Sequence, residues 1–475
     1  MIDGEVARFF AHVERCTQRE AISAEGTRIS YRTLFQLAAM VEERCRAQGV
    51  RADDRVLLDL ENGLPHAAAY LSGLVGGYAV VPLNQALPER DKQYIRELIR
   101  PRLTVDAALL ADLRPSDAMP TWRARDEATF LIAVTSGTTS RPKAVCHSFG
   151  AMLGNAAAFN ALVGTDDSQR MLHVMPMGYV AGFLNTLLCP LSAGGAVVVA
   201  PRFEAQSAMH FWKPAMNGRA NSAWLTPTMV AMVTRLANNA DTIAWVRANI
   251  EHVFVGTAPL HEPVREAFEK QFGVPCLQSY GMAELLLVSS NLPSDPSPRG
   301  TVGKLIDRIA TRFVCDDGVE IAGAAGGNLQ VSTPFVTQGY LDVKTGEPAP
   351  PPPWFDTGDR GRLEANGHLA IMGRTKDLII RGGTNISPVA VEDVLLGLDG
   401  IEEVAVVGIP HPFWGEQVAA VIVLTPGKQF DEAAAKKHCR QNLPRDAVPE
   451  RFVVLDALPK SSTGKIQKHL IREMM

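Results

Sequence analysis

Residues 130–143, FLIAVTSGTTSRPK, join a short apolar run to an unusually polar one. The apolar run at 130–134 has the length and composition of a buried β-strand. Residues 135–143 then bring together five hydroxyl side chains, a glycine, an arginine and a lysine. Hydroxyls and backbone N–H groups can bind phosphate oxygens while the cations balance their charge, so this segment predicts a phosphate-binding loop. A polar surface turn is the alternative, and the spacing of a Walker A loop is absent.

The size and charge of the chain bound what it can be. Its 475 residues are too many for one ordinary hydrophobic core and predict about two or three domains. Hydrophobic residues make up 46% and charged residues 21%, the composition of a soluble globular protein. A net charge of −4 provides no bulk attraction to nucleic acid, so no nucleic-acid partner is expected. Without a long apolar run or a secretory signal, the sequence predicts no membrane span and a cytoplasmic location.

Helical and strand patterns alternate through the first part of the chain. Helices are predicted at residues 33–48, 67–75, 149–162, 182–192, 227–236 and 261–272. Strands are predicted at 55–60, 78–82, 171–175, 196–200, 223–225, 253–256 and 274–279, the last of which closes the set. This alternation predicts an α/β fold in which ligand-binding loops gather at the ends of the strands.

From about residue 300 the pattern changes to short strands and Gly/Asp turns, which predicts a small β-rich subdomain at about 300–373. Within it, residues 348–353 contain five prolines and are expected to form a stiff surface loop. A compact α+β unit is predicted beyond it, with helices at 387–398 and 431–442 and strands at 404–409, 418–424 and 451–454. The predicted organisation is therefore a large N-terminal domain at 1–373 and a small C-terminal domain at 374–475.

Four further segments carry polar side chains beside predicted strands: 280–284 (YGMAE), 354–359 (WFDTGD), 373–383 (GRTKDLIIRGG) and 459–465 (PKSSTGK). Tyr280 could stack on a nucleotide base, and Glu284 could bind Mg²⁺ together with phosphate oxygens. Asp359 lies in a glycine turn, where its carboxylate could accept hydrogen bonds from both hydroxyls of a ribose. Taken singly, each segment is more typical of a turn with solvated side chains.

In this order, these segments resemble the motifs of the adenylate-forming superfamily, which includes acyl- and aryl-CoA ligases, stand-alone adenylation enzymes and firefly luciferase. The resemblance also covers residues 256–260 (GTAPL), 327–331 and 339–340, and runs from about residue 30 to about residue 468. It implies activation of a carboxylic acid with ATP and Mg²⁺ to an acyl-adenylate, release of pyrophosphate, and transfer of the acyl group to a thiol. Coenzyme A, or the phosphopantetheine of an acyl carrier protein, would supply that thiol.

The resemblance also implies roles for particular residues. The phosphate loop would contact the β- and γ-phosphates of ATP through Thr135, Ser136, Gly137, Thr138, Thr139 and Lys143. The base and ribose would lie against Gly256, Ala258, Gln278, Tyr280, Gly281, Asp359 and Arg374. Glu284 would be the Mg²⁺ ligand. Lys465 would be the catalytic cation that bridges the substrate carboxylate and the α-phosphate, with Arg374 and Glu284 as the other catalytic side chains.

In the superfamily the small domain is a mobile lid, which rotates between adenylation and thioester formation. The hinge position matches Lys376 in this sequence. Gly382 and Gly383 match the loop that lines the pantetheine tunnel in the second state, where close passage of the arm needs a backbone without bulky side chains.

The acid pocket is expected at Tyr179, Val180, Gly182, Gly256 and Gly281. None of these side chains carries a charge that could pair with an amino group, so an apolar acyl or aryl acid is favoured over an α-amino acid. The particular acid, and the choice between coenzyme A and a carrier protein, stay open.

Several positions depart from the motifs of the superfamily. Ser140 and Ala144 replace glycines of the phosphate loop, and Tyr179 stands where many relatives have histidine. Ala283 replaces a threonine whose hydroxyl meets the α-phosphate, and loss of one neutral hydrogen bond of about 1 kcal/mol predicts slower adenylation rather than none. These departures keep open the alternative of a degenerate, non-catalytic binding protein.

Overall fold

The computed structural model describes residues 4–135, 142–295, 300–342, 344–460 and 466–475. Several residues singled out in the sequence therefore lie outside the described residues, namely Ser136, Gly137, Thr138, Thr139, Ser140 and Lys465. Their predicted roles stay predictions from the sequence.

The order of elements confirms the α/β class. Up to residue 135 the elements are α1 (Glu5–Arg15), β1 (Glu20–Ala24), β2 (Thr27–Ser30), α2 (Tyr31–Ala47), β3 (Arg55–Asp59), α3 (Leu64–Gly76), β4 (Ala79–Pro82), α4 (Glu89–Ile99), β5 (Leu103–Asp106) and β6 (Thr129–Thr135). From there to residue 236 follow β7 (Lys143–Ser148), α5 (Phe149–Val163), β8 (Arg170–His173), α6 (Val180–Phe183), a π-helical turn (Leu184–Leu188), α7 (Cys189–Ser192), β9 (Ala196–Val199), a 3₁₀ turn (Ala205–His210), α8 (Lys213–Gly218), β10 (Ser222–Leu225) and α9 (Pro227–Leu236).

The remaining elements include most of the antiparallel strands. They are α10 (Ala240–Asn249), β11 (His252–Val255), α11 (Glu262–Phe272), β12 (Cys276–Met282), β13 (Leu286–Ser290), β14 (Lys304–Leu305), β15 (Ala310–Val314), β16 (Glu320–Ile321), a 3₁₀ turn (Gly323–Ala325), β17 (Gly327–Ser332), β18 (Gly339–Leu341), β19 (Pro348–Ala349), β20 (Phe355–Leu363) and β21 (Leu369–Arg374). After a 3₁₀ turn (Thr375–Asp377) come β22 (Ile379–Arg381), β23 (Thr384–Ile386), α12 (Pro388–Leu396), β24 (Ile401–His411), β25 (Gly415–Leu424), α13 (Glu432–Asn442), a 3₁₀ turn (Arg445–Ala447), β26 (Arg451–Val454) and α14 (Lys468–Met474).

Side-chain caps explain where several helices begin. The Ser30 hydroxyl accepts the Thr33 N–H at 3.2 Å at the start of α2. The Thr226 hydroxyl does the same for the Met229 N–H at 3.2 Å, and Pro227 opens α9 without sacrificing an intrahelical bond.

Two large sheets carry most of the chain before residue 310. One has the strand order β14-β13-β12-β11-β10-β8-β9-β1-β2, and the other has the order β19-β18-β7-β6-β4-β3-β5. In the first sheet β8, β9, β10, β11 and β12 run parallel, so the loops after β11 and β12 leave from the same edge. Helices α2, α3 and α5 contribute fully buried side chains to the core around these sheets.

The later sheets are smaller. The sheet β16-β15-β17-β20-β21 is antiparallel throughout. Beyond it, β23-β22-β25-β24 forms a sheet to which β26 adds next to β25. Helices α12 and α13 pack on one face of that sheet through Val391 and Cys439, and Ile471 of α14 packs with side chains of the other face. The division at residues 373 and 374 stays a prediction.

Three local structures differ from the sequence prediction. The phosphate loop connects two antiparallel strands, β6 and β7, because the buried side chains of Val145 and Cys146 continue a strand pattern after the polar residues. Residues 274–279 do not end the set, since β12 turns back as β13. The predicted helix at 182–192 contains a π turn, where the Cys189 N–H bonds to the Leu184 carbonyl just before Pro190, a residue that has no N–H to donate.

The C-terminal unit contacts the large sheets through charged pairs. Asp393 of α12 lies 2.6 Å from Nδ1 of His261, the residue before α11, and Glu402 pairs with Arg235 of α9. Burial of His261 disfavours its charge, but the hydrogen bond to Asp393 and the nearby Glu392 carboxylate outweigh burial and raise its pKa.

This raised pKa predicts a pH-dependent contribution to stability. A histidine whose pKa is raised in the folded state stabilises the fold at pH values below its ordinary pKa of 6.5. This stabilisation is lost as the pH rises through the raised pKa. His261→Gln should therefore lower the free energy of unfolding more at about pH 6 than at about pH 9. Denaturant melts across that range measure the difference, with His210→Gln, a change in an exposed histidine, as the control. A difference that stays constant with pH would contradict the assignment.

Candidate active site

A buried carboxylate joins two sheets at the carboxyl edge of β12. Asp359 of β20 is 5% exposed, and its Oδ2 accepts the Tyr280 hydroxyl at 2.6 Å. Its Oδ1 lies 3.1 Å from Nε of Arg374, which stands directly opposite on β21. The pKa of Tyr280 is raised, chiefly by burial and secondly by the negative charge of Asp359, so the phenol keeps its proton and acts as a donor. The predicted base-binding and ribose-binding residues thus form one contiguous group.

The other residues predicted to contact the nucleoside lie at the same edge. Gln278 of β12 pairs in register with Val255, the last residue of β11, and Gly256 and Ala258 follow that strand. Thr257 between them has a φ of 75°, a left-handed conformation that is uncommon for a threonine. A Cβ on Gly256 would lie 3.4 Å from the Trp224 indole nitrogen, so this backbone packs closely on the buried ring.

A second group of side chains lies beside Lys143, at one end of the predicted phosphate loop. Thr135 and Lys143 face each other as the last and first residues of β6 and β7, so the loop between them starts and ends at one point. Nζ of Lys143 lies 4.9 Å from the centre of the Tyr340 ring, a cation–π contact. The Tyr340 hydroxyl donates to Oε1 of Glu284 at 2.7 Å. The pKa of Tyr340 is raised, mainly because the ring is partly buried and in addition because the Glu284 carboxylate is its hydrogen-bond partner.

Glu284 lies in the tight connection between β12 and β13, four residues after Tyr280. A Cβ on Gly281 would lie 2.2 Å from the Leu286 carbonyl oxygen, so the two strands approach this closely only with glycine at that position. The hairpin therefore carries Tyr280, which is predicted to contact adenosine, and Glu284, which is predicted to bind Mg²⁺, on one short segment.

The carboxylate of Glu284 is suited to a magnesium ion that substrate phosphates also bind. Among the described residues, no cluster of three or more histidine, cysteine, aspartate or glutamate side chains could hold a metal ion. Mg²⁺ is usually held by one or two carboxylates together with substrate phosphates and waters. A single carboxylate beside a phosphate loop meets that requirement, and Tyr340 occupies only part of its hydrogen-bonding capacity.

Three of the five residues predicted for the acid pocket lie at α6, whereas Gly256 follows β11 and Gly281 lies in β12. Tyr179 and Val180 are half-buried at the start of α6, where Tyr179 precedes the first helical residue. Gly182 is buried, and a Cβ there would lie 2.1 Å from the Pro176 carbonyl oxygen. The absence of a side chain at Gly182 is therefore required by local packing, beyond any role in shaping the pocket.

The predicted hinge and tunnel residues lie in the C-terminal unit and its connection. The Lys376 carbonyl accepts from Arg472 at 3.4 Å, and partial burial is the main cause that lowers the pKa of Lys376. Gly382 and Gly383 form the exposed turn between β22 and β23 with φ values of 55° and 85°. The Gly382 N–H donates to the Trp414 carbonyl at 2.8 Å, so this turn lies against the tip of β24 and β25.

Sequence reasoning missed Tyr340 as a site residue. It links Lys143 to Glu284, although it lies nearly two hundred residues beyond Lys143 in the chain. The signal was present, because residues 339–340 belong to the resemblance, but a lone Gly-Tyr pair does not indicate which side chain the tyrosine contacts.

Comparison with known families identifies the family to which the chain belongs. A family model described as AMP-binding enzyme matches residues 9–341, and one described as AMP-binding enzyme C-terminal domain matches residues 390–465. The chain therefore belongs to the AMP-binding enzyme family, the adenylate-forming superfamily predicted from the sequence motifs.

Individual relatives are ligases. The chain is 27% identical to sulfoacetate–CoA ligase of Cupriavidus necator over 93% of this chain and 92% of that protein. It is 31% identical to indoleacetate–CoA ligase of Aromatoleum aromaticum over 76% of this chain and 70% of that protein. In fold it is similar to ATP-bound MatB from Rhodopseudomonas palustris, with a TM-score of 0.87 and 24% identity over 99% of this chain and 98% of that one.

These comparisons confirm the predicted enzyme class, an AMP-forming acid–thiol ligase of the acyl-CoA synthetase type. They also confirm the predicted fold of a large N-terminal α/β part with a smaller C-terminal domain. Within the described parts of the chain, no helix has both the length and the apolar character that crossing a membrane requires.

The Asp359 contacts predict the effect of removing its charge. Asp359→Asn keeps the size of the side chain but removes the negative charge that would accept hydrogen bonds from the ribose hydroxyls. A hydrogen bond to a charged group contributes about 1.5–3 kcal/mol, so ATP affinity should fall about tenfold or more. Isothermal titration with ATP measures the change. Asp356→Asn is the matched control, because Asp356 is exposed on the same strand and accepts the Gly358 N–H. Equal affinities in the two variants would rule out a ribose-binding role for Asp359.

Proposed function

We propose that this protein uses ATP and Mg²⁺ to convert a carboxylic acid lacking an α-amino group into an acyl-adenylate, which it then transfers to the thiol of coenzyme A. The observation that carries the proposal is the β12–β13 hairpin. Tyr280 at one side of it contacts Asp359, and Glu284 at its tip contacts Tyr340 beside Lys143. These contacts support an adenosine site next to a triphosphate site, the arrangement that breaking the bond between the α- and β-phosphates requires.

The charges of these side chains suit the reaction. A carboxylate that attacks the α-phosphate brings two anions together, so cations and donors must neutralise the charge that develops in the transition state. Lys143 supplies a positive charge at the edge of the phosphate loop, and Arg374 supplies another beside the ribose-binding carboxylate. Bound Mg²⁺ would neutralise phosphate charge next to Glu284. Lys465 would contribute the charge closest to the reacting atoms.

The acid is proposed from the residues around α6 and from the relatives. Tyr179, Val180 and Gly182 provide no anionic group for an ammonium. The acids in the names of the similar ligases, sulfoacetate and indoleacetate, also lack an amino group on the carbon next to the carboxyl. The uncharged pocket residues favour an apolar acyl or aryl acid. The names of the relatives support only the coarser preference for an acid without an α-amino group, since sulfoacetate is itself polar.

A matched pair of acids tests this preference. 3-Phenylpropanoate should support pyrophosphate exchange at least about tenfold better than phenylalanine, because burying an unpaired ammonium costs several kcal/mol. A broad panel of acids, screened by exchange of labelled pyrophosphate into ATP, includes this pair. Faster exchange with the amino acid would contradict the proposed pocket.

Removal of the proposed catalytic cation gives a second test. Lys465→Ala should reduce acid-dependent pyrophosphate exchange by about a hundredfold or more, because one charge contact to the transition state is lost. ATP binding should persist, since the residues assigned to the nucleoside are unchanged. Lys428→Ala is the control, because Lys428 is an exposed lysine of the C-terminal unit that pairs with Asp399 at 2.7 Å. Unchanged exchange in the Lys465 variant would refute its assignment.

The thiol acceptor is tested separately. Thioester formation with free coenzyme A is compared with loading of phosphopantetheine on a set of carrier proteins. Efficient turnover of coenzyme A supports the proposal. Turnover with a carrier protein alone would assign the protein to carrier loading, the alternative that the exposed Gly382–Gly383 turn serves equally well.

A further inference from the structure

One fully buried histidine lies directly beneath the Glu284 turn. His147 is on β7, the strand that begins with Lys143, and its Nε2 lies 2.6 Å from the Ala283 carbonyl oxygen. Because a carbonyl oxygen only accepts hydrogen bonds, the ring must carry its proton on Nε2. Burial lowers the pKa of His147 to about 4, so the imidazole is neutral near pH 7. The same strand therefore carries a phosphate-loop cation at its start and a neutral donor to the Glu284 turn four residues later.

Packing alone does not account for a histidine here. Its Nδ1 is buried and has no hydrogen-bond partner among the described residues. A buried polar atom without a partner costs about 1–3 kcal/mol, whereas an apolar side chain of similar size would avoid that cost. Within the described parts of the chain, the Nε2 bond to Ala283 is the one hydrogen bond of this ring.

The turn that His147 contacts is strained. Leu286 has a φ of 61°, a left-handed conformation that costs a residue with a Cβ about 1–3 kcal/mol. The pairing of β12 with β13 also shifts register between Tyr280 and Gly281. Strained backbone of this kind persists only where the surroundings hold it firmly.

Contacts from separate elements hold the turn. His147 bonds the Ala283 carbonyl, and the Thr337 N–H donates to the Glu284 carbonyl at 2.8 Å. The Asn155 amide bonds both the N–H and the carbonyl of Leu287, at 3.1 and 2.8 Å. Of these bonds, the one from His147 joins a side chain to the residue that directly precedes Glu284. That residue is Ala283, at the position where the superfamily motif has a threonine.

We propose that His147 is a positioning residue for Glu284, which fixes the carboxylate relative to the phosphate-loop strand through the Ala283 carbonyl. The proposal rests on the proposed role of Glu284 as the Mg²⁺ ligand. It predicts that loss of the His147 donor raises the metal concentration that nucleotide binding requires, with a smaller effect on the maximal rate of exchange.

Two polar substitutions separate this role from a purely structural one. The amide nitrogen of glutamine can occupy the place of Nε2, whereas the shorter asparagine reaches only the place of Nδ1. His147→Asn should raise the Mn²⁺ concentration for half-maximal binding in the presence of ATP about fivefold, the effect of one hydrogen bond near 1 kcal/mol. His147→Gln should stay within about twofold of the unchanged protein. Electron paramagnetic resonance of free Mn²⁺ measures the binding without reference to activity.

The controls distinguish the possible failures. His252→Asn changes another largely buried histidine, at the opposite end of β11 from Gly256, and should leave the Mn²⁺ requirement unchanged. If His147→Asn does not fold, His147→Leu is compared with His147→Gln in the same way. Equal Mn²⁺ requirements in the glutamine variant and the variant without the donor would overturn the proposal. Glu284→Gln tests the underlying assignment, because an unchanged requirement in that variant would overturn the roles of Glu284 and His147 together.

Discussion

The buried carboxylate of Asp359 is the interaction on which the candidate site depends. A carboxylate removed from water is costly unless it is paired and hydrogen-bonded, and here Tyr280 and Arg374 provide both. Tyr280 belongs to the nine-stranded sheet, whereas Asp359 and Arg374 belong to the antiparallel five-stranded sheet. The hydrogen bond from Tyr280 to this carboxylate therefore links the two sheets at this point. Because Arg374 is also the last residue of β21, the same pair fixes the end of that strand, directly before the 3₁₀ turn Thr375–Asp377.

Close backbone contacts at two glycines also determine where the side chains of the candidate site lie. Gly281 lets β12 and β13 close tightly enough to present Glu284, since a Cβ would lie 2.2 Å from the Leu286 carbonyl oxygen. Gly339 plays the same part for Tyr340, because a Cβ there would lie 1.7 Å from the carbonyl oxygen of Ala349. The two side chains that meet beside the phosphate loop are thus each carried by backbone that only glycine permits to approach so closely. Backbone geometry therefore places these two side chains within hydrogen-bonding distance of each other.

Much of this architecture could be predicted from the sequence, and the reasons for the failures are physical. Hydrophobic periodicity located α2 and α9 within two residues of their bounds, because each buries one face and begins at a side-chain cap. Motif order identified the superfamily. The contacts of the site could not be predicted, since Tyr280 and Asp359 are 79 residues apart and meet through sheet packing that no local pattern encodes. His147 was missed for the same reason, because a lone histidine in an apolar strand is usually a core residue.

The close approach of Gly182 to the Pro176 carbonyl has a consequence for how this enzyme could acquire new substrates. Any side chain at Gly182 would displace the backbone beneath α6, so this position is closed to adaptation by point mutation. Tyr179 and Val180 already carry half-buried side chains that pack against the core, so an exchange there changes side-chain packing without the backbone clash that any side chain at Gly182 would create. If these residues line the acid pocket as predicted, variation in acid selectivity is expected at those two positions, whereas a side chain at the glycine is expected to reduce the yield of folded protein.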